Sequence, residues 1–421
     1  MYKFKFWKTT IDASLGVYFL STIFMVFFSV RAIHHWPDHW AQLTISLACI
    51  LTTLLVLIKN ELPFPKSKNR NKGIALVLLI IILGTLNICF SEDRSASLKG
   101  MGLFLMSGVF IFLVTFSLFQ SKQNQNLFLK LCSACFVILI FYGLFEFFQG
   151  IIHPAKQILL LSSNPIPAGS LLILLATGPL LLLVKTNFTL HKILLSLSIL
   201  LGVWMIILIG ERGPILAVLV MGLTWALTRN QGLWIFTLVI LVLVGIGSQF
   251  SEKIPLHYKN QFLRKDTVLV RLEFYNVAWQ VIKDKPFWGT GFNTPVTKYI
   301  PKFYKPKFYP TNSKHTFQSH IAGAETFDNM ALFFLGQTGL LFTGAYACLI
   351  FYLTKILIKN SNENSDIKLQ GMLLLTVLVG FTVHSMTYDS LRYPHLNWLF
   401  HSLLGLIANH KEHFQIGLER E

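Results

Sequence analysis

The chain has 421 residues, 53% of them hydrophobic and only 13% charged, with a mean hydropathy of +0.58. That composition excludes a soluble globular protein and makes lipid the solvent for most of the molecule. The formal net charge of +17 does not indicate a nucleic-acid partner, because Lys and Arg fall almost entirely between the apolar segments, where anionic headgroups attract them.

The N-terminus is basic, with Lys3, Lys5 and Lys8. The apolar run behind it lacks a small-residue cleavage site, so it reads as an uncleaved first helix. Stretches long enough to cross a bilayer then follow at 15–30, 41–58, 74–90, 100–119, 131–148, 168–184, 193–209, 214–227, 233–246, 330–353, 371–386 and 391–408. The expected fold is an all-α integral membrane protein of about twelve transmembrane helices. Basic residues mark the N-terminus and the even-numbered connections, among them Lys59, Arg70, Lys122, Lys185, Arg229, Lys359 and Lys368. Both termini are therefore expected in the cytoplasm, with the odd-numbered loops outside. This divides the chain into a nine-helix region over 1–246, a large extracytoplasmic loop over 247–329, a three-helix region over 330–408 and a cytoplasmic tail over 409–421.

All five cysteines, Cys49, Cys89, Cys132, Cys135 and Cys348, lie in apolar stretches. Disulfides are not expected, and Cys132 and Cys135, although at CxxC spacing, read as small buried helix residues and not as metal ligands.

Residues 247–326 carry twelve Lys and Arg against five acids. Long loops escape the positive-inside rule, so this excess suggests an anionic ligand at the outer face, or else contact with headgroups. Within the loop, residues 264–283 have the spacing of an amphipathic helix. The Pro, Lys, Phe and Tyr repeated over 295–310 suggest an irregular arm.

Four groups could carry chemistry. Gly210, Glu211, Arg212, Gly213 and Pro214 join two spans almost without a linker. A helix start there exposes free N–H groups beside Arg212, which suits phosphate oxygens, although Arg212 could equally snorkel to headgroups with Glu211 as partner. Arg271 lies in the loop helix, ahead of Pro286-Phe287-Trp288-Gly289-Thr290-Gly291. His315, His320, Glu325, Asp328 and Asn329 bring several potential bases to the entry of the tenth span, without metal-ligand spacing. Asp389, Arg392 and His395 occupy a short outward turn. No metal and no cofactor is expected.

In order and spacing, three of these motifs resemble the O-antigen ligase and polymerase family of bacterial envelope glycan enzymes. They are Gly210-Glu211-Arg212-Gly213; Arg271-Leu272-Glu273-Phe274-Tyr275 with Lys285-Pro286-Phe287-Trp288-Gly289-Thr290-Gly291-Phe292; and Asp328-Asn329-Met330-Ala331-Leu332 with Gln337-Thr338-Gly339-Leu340-Leu341. The resemblance covers about 195–400. It implies a GT-C-like, metal-independent, inverting glycosyltransferase in the bacterial inner membrane, with its site facing the periplasm. The implied donor is a glycan on undecaprenyl diphosphate; the implied acceptor is a hydroxyl of lipid A core or of another glycan. Arg212 and Arg271 are expected to hold the diphosphate, with Arg392 as a third cation. Asp328 stands where ligases of this family carry a His, which leaves Asp328, His320 and Glu211 as competing bases. A ligase is the first expectation and a polysaccharide polymerase of the same family the alternative. A transporter or flippase would share the twelve-span plan, but the chain lacks the paired halves of that class.

Overall fold

Helix is the only regular structure among the residues that the computed structural model describes, namely 2–27, 68–152, 158, 160, 165–228, 265–295, 298–299, 326–359 and 365–410. The helices are α1 (Tyr2–Phe27), α2 (Lys68–Phe90), α3 (Arg94–Phe104) and α4 (Phe110–Leu118), then α5 (Lys122–Ile152), α6 (Pro165–Leu175), α7 (Thr177–Lys185), α8 (Thr189–Ile209) and α9 (Arg212–Thr228). After these come α10 (Lys265–Asp284), α11 (Met330–Lys359), α12 (Ser365–Ser385) and α13 (Pro394–Ala408). Among the described residues seven helical stretches are long and apolar enough to cross a membrane, and Leu15–Phe27 and Arg212–Thr228 are shorter apolar helices. The chain is a polytopic membrane protein, all-helical among the described residues; the spans expected at 41–58 and 233–246 lie outside them. Exposed Ile82, Phe141, Phe145, Phe148, Leu200 and Phe351 form the apolar surface that lipid, and not water, must cover.

The amphipathic helix expected at 264–283 is α10, shifted by one residue. The last expected span begins later than its hydropathy suggests. Ser390–Arg392 form a 3-10 turn, and α13 starts at Pro394, whose fixed φ suits a first helical turn.

Residues 394 to 407 of α13 are all buried, so this helix is the axis of the bundle. Its polar side chains must then find partners inside. Trp398 Nε1 donates to Thr22 Oγ1 at 3.1 Å, and the Tyr18 hydroxyl donates to Ser402 at 2.7 Å, which fastens α1. Asn397 Nδ2 donates to the Phe104 carbonyl and to Ser107 Oγ, both at 2.9 Å. Between α3 and α4, residues Leu105–Val109 widen into a π-turn. Asn397 thus takes up the Phe104 carbonyl where the helix widens.

A second interruption positions the site. At Gly339 of α11 the backbone turns to φ 75, ψ 178, and residues 285–294 fill the break. Thr290 N donates to the Gly336 carbonyl at 3.0 Å, Gly291 N to Gln337 at 2.8 Å, and Leu340 N to Pro286 at 2.8 Å. Asn87 completes the joint: its Nδ2 donates to the Trp288 carbonyl at 2.6 Å, and its Oδ1 accepts from Phe292 N at 3.1 Å. The Gly-Thr-Gly segment is thus the backbone complement of a broken membrane helix. Its glycines are required there, since a Cβ on Gly289 or Gly339 would sit within 2.5 Å of the opposing backbone, and both have positive φ.

Candidate functional site

Four helix ends converge at one end of the bundle. The inner face of α10, with Val270, Phe274, Val277, Ala278 and Val281, packs on Tyr299 and Phe327 in a small core of its own. Phe327 is 1% exposed and anchors the chain just before α11. Asn329 then caps that helix, accepting from Leu332 N at 3.0 Å. Its Nδ2 donates to the Met386 carbonyl at 2.6 Å, which joins the start of α11 to the turn after α12. Between these two anchors Asp328 is held at φ 51.

In this frame the Arg271 Nε lies 3.8 Å from Asp328 Oδ2, both side chains being about one-third exposed (29% and 36%). A solvent-facing pair at that distance contributes roughly 0–1 kcal/mol. The geometry therefore concerns reactivity more than stability. Asp328 is pushed up to about 6, first by burial and then by the Asp389 carboxylate, while Arg271 opposes the rise.

Asp389 is 3% exposed and sits in the turn between α12 and α13. Arg392 Nη1 is 3.9 Å from its carboxylate, and Arg392 Nε donates to Asn293 Oδ1 at 3.2 Å. Asn293, like Asp328, holds a positive φ. Two strained non-glycine residues thus lie in one cluster of charges, a pattern found at sites of function. The Tyr388 and Tyr393 hydroxyls are 2.5 Å apart; burial raises both phenols, and the Asp389 charge adds to the effect.

The Gly210–Pro214 junction reaches the same region. Gly210 ends α8 in the left-handed conformation at φ 77, and Arg212 is the first residue of α9. The Cα of Gly213 abuts Thr387 and His384, so closely that a Cβ would be 2.4 Å from Thr387 Oγ1. A Cβ on Gly169 would likewise meet Pro214 at 2.4 Å. The start of α9, with Arg212 as its first residue, is thereby wedged between α6 and the His384–Thr387 end of α12.

Of the expected residues, Arg271 and Asp328 come together directly, Arg392 joins them through Asp389, and Gly213, next to Glu211 and Arg212, packs against Thr387 and His384. His320 lies outside the described residues, as do His315 and Glu325. His395 is buried at 1% exposure, with its ring edge against Tyr393. Sequence reasoning placed Asp389 in the outward turn without giving it a role, and it left out Asn293, whose strained turn position no sequence spacing reveals. Beside the cluster, Lys285 pairs with Glu92, the Tyr299 hydroxyl donates to Glu92 Oε2 at 2.5 Å, and Lys298 pairs with Asp93 at 2.8 Å. These contacts moor the loop segment to the α2–α3 turn.

Comparison with known proteins finds that residues 197–347 match the family described as O-antigen ligase. The matched stretch includes Arg212, Arg271 and Asp328 and ends before Asp389 and Arg392. No curated protein matches the chain as a relative.

Proposed function

We propose, from the match of residues 197–347 to the family described as O-antigen ligase, that the chain is a membrane glycosyltransferase of the ligase or polymerase type. It transfers a glycan from undecaprenyl diphosphate to a sugar hydroxyl at the outer face of the bacterial inner membrane. The observation that carries this reading is the placement of Arg271 against a carboxylate raised to about 6 by burial and by Asp389. Transfer breaks the bond between the anomeric carbon and the diphosphate oxygen, and the diphosphate departs with the electron pair. Arg271, Arg212 and Arg392 supply fixed guanidinium groups for that charge. Asp328 takes the proton of the acceptor hydroxyl as the oxygen attacks the opposite face, which inverts the anomeric centre. Once a diphosphate engages Arg271, the one influence that lowers Asp328 is neutralised, so donor binding strengthens the base.

The lipid A core as acceptor is the first reading. Polymerisation onto another glycan is favoured by Asp328 standing where ligases of the family carry a His. Glycan analysis of a deletion strain separates the two: a ligase defect removes long chains from the core while lipid-linked polymer accumulates, and a polymerase defect leaves cores with one repeat unit. In vitro, Arg212→Ala and Arg271→Ala are each expected to lower transfer from undecaprenyl-diphosphate glycan by at least about a hundredfold. Transfer at the wild-type rate by correctly inserted protein carrying both changes would refute the assignment.

A further inference from the structure

At the end of the bundle opposite to Arg271 and Asp328, the start of α5, the end of α7 and the start of α8 enclose a cleft of about 560 Å³. Its mouth carries Lys130, Lys185 and His191 beside Asn126, and no acidic side chain lines it. Lys185 Nζ donates to Asn126 Oδ1 at 2.9 Å, which holds one ammonium at the rim. The wall continues inward over Val137 and Leu194. A shallow surface groove that shares Lys130, Val137 and Leu182 continues the cleft along α5 to Ile138. From Asn126 to Val137 is eleven residues of helix, or about 16 Å. That is about half of a hydrocarbon core of roughly 30 Å.

The cleft has cations at one end, an apolar slot one leaflet deep behind them, and lipid-facing neighbours such as Ile138 and Leu197, each more than half exposed. Lysines that merely snorkel to headgroups need no cavity beneath them. A soluble anion would use the cations and leave the slot without purpose. We propose that this cleft binds an anionic glycerophospholipid, its phosphate held by Lys130, Lys185 and His191 and an acyl chain laid along Val137 and Leu194. The site is separate from the Arg271 cluster and stands or falls independently of the proposed transfer reaction.

The test uses the full chain, purified in detergent and stripped of lipid, with phosphatidylglycerol and phosphatidylcholine of identical acyl chains as probes and native mass spectrometry as the readout. Wild-type protein is expected to retain phosphatidylglycerol in preference to phosphatidylcholine, and the double change Lys130→Gln and Lys185→Gln to reduce that retention by roughly tenfold. Retention of phosphatidylcholine should hardly change. The control pair Lys72→Gln and Lys359→Gln, exposed lysines elsewhere, should behave as wild type. Equal retention of both lipids, or an unaffected double variant, overturns the proposal, as does displacement of the lipid by inorganic phosphate, which would make the cleft a site for free anions. Should the double variant fold poorly, a photoreactive phosphatidylglycerol on wild-type protein replaces it. Crosslinks to peptides containing Lys130 and His191 are expected, and crosslinks confined to other helices refute the site.

Discussion

Asp328 combines a left-handed backbone, a raised carboxyl and a cation 3.8 Å away. Because the folded state binds this proton more tightly than the unfolded chain, the group's stabilising contribution is fully present below its ordinary value of 3.8. It is lost as the pH rises through about 6. At neutral pH the carboxylate is thus held against its own preference for water. Asp328→Asn is expected to leave thermal stability at about pH 7.5 unchanged or higher, while transfer falls by roughly 10²–10⁴-fold. A variant that retains transfer would remove Asp328 as the base. For the wild type, transfer should rise with pH across a midpoint near 6, and Asp389→Asn should move that midpoint down, since a like charge is removed. A pH–rate profile of the two proteins measures both. The motif alignment already singled out Asp328 and Arg271. The effect of Asp389 was not legible, because sixty-one positions separate it from Asp328 and only the fold closes that gap.

At the scale of elements, the interrupted α11 and segment 285–294 are one joint. In hydrocarbon every backbone group freed by a helix break needs a partner within the protein, and here Gly336 and Gln337 find theirs in Thr290 and Gly291. Gly339→Ala would bring a Cβ within 2.1 Å of the Phe287 carbonyl at φ 75. It is expected to cost about 1–3 kcal/mol or more in backbone strain alone, read as a lowered midpoint of thermal unfolding in detergent, and to lower transfer as well because the loop carrying Asn293 shifts. Asn87→Leu removes partners from two carbonyls and one amide. The Trp288 carbonyl and the Phe292 amide lose this partner at about 1–3 kcal/mol each, whereas the Gln337 carbonyl keeps its bond from Gly291 N. A variant as stable as wild type would show that water replaces the side chain. The Gly289-Thr290-Gly291 spacing marks a turn. That the turn lies against a helix break was not visible, because Gly336-Gln337-Thr338-Gly339 sits in a stretch apolar enough overall to read as one continuous span.

For the whole molecule, the charge pattern predicts which end faces the cytoplasm. Lys122, Lys185 and Lys359 share one end, whereas Arg271, Asp328 and Asp389 share the other. In a background without cysteine, Leu272→Cys should be labelled by an impermeant maleimide in spheroplasts, and Asn187→Cys only after permeabilisation. The reverse pattern would turn the site to the cytoplasm. Hydropathy and Lys/Arg placement by themselves determined the class, the location but not the ends of the described spans, and the loop helix, because each follows from local transfer energies and a 3.6-residue period. The motifs pointed to the family whose model matches residues 197–347 and singled out Arg212 and Arg271. Only the tertiary structure decided that α13, less apolar than α4 or α8, is the buried axis, and that Asp389, Arg392 and Asn293 join Arg271 and Asp328. Those placements depend on packing between residues far apart in the chain, about which a run of apolar residues carries no record.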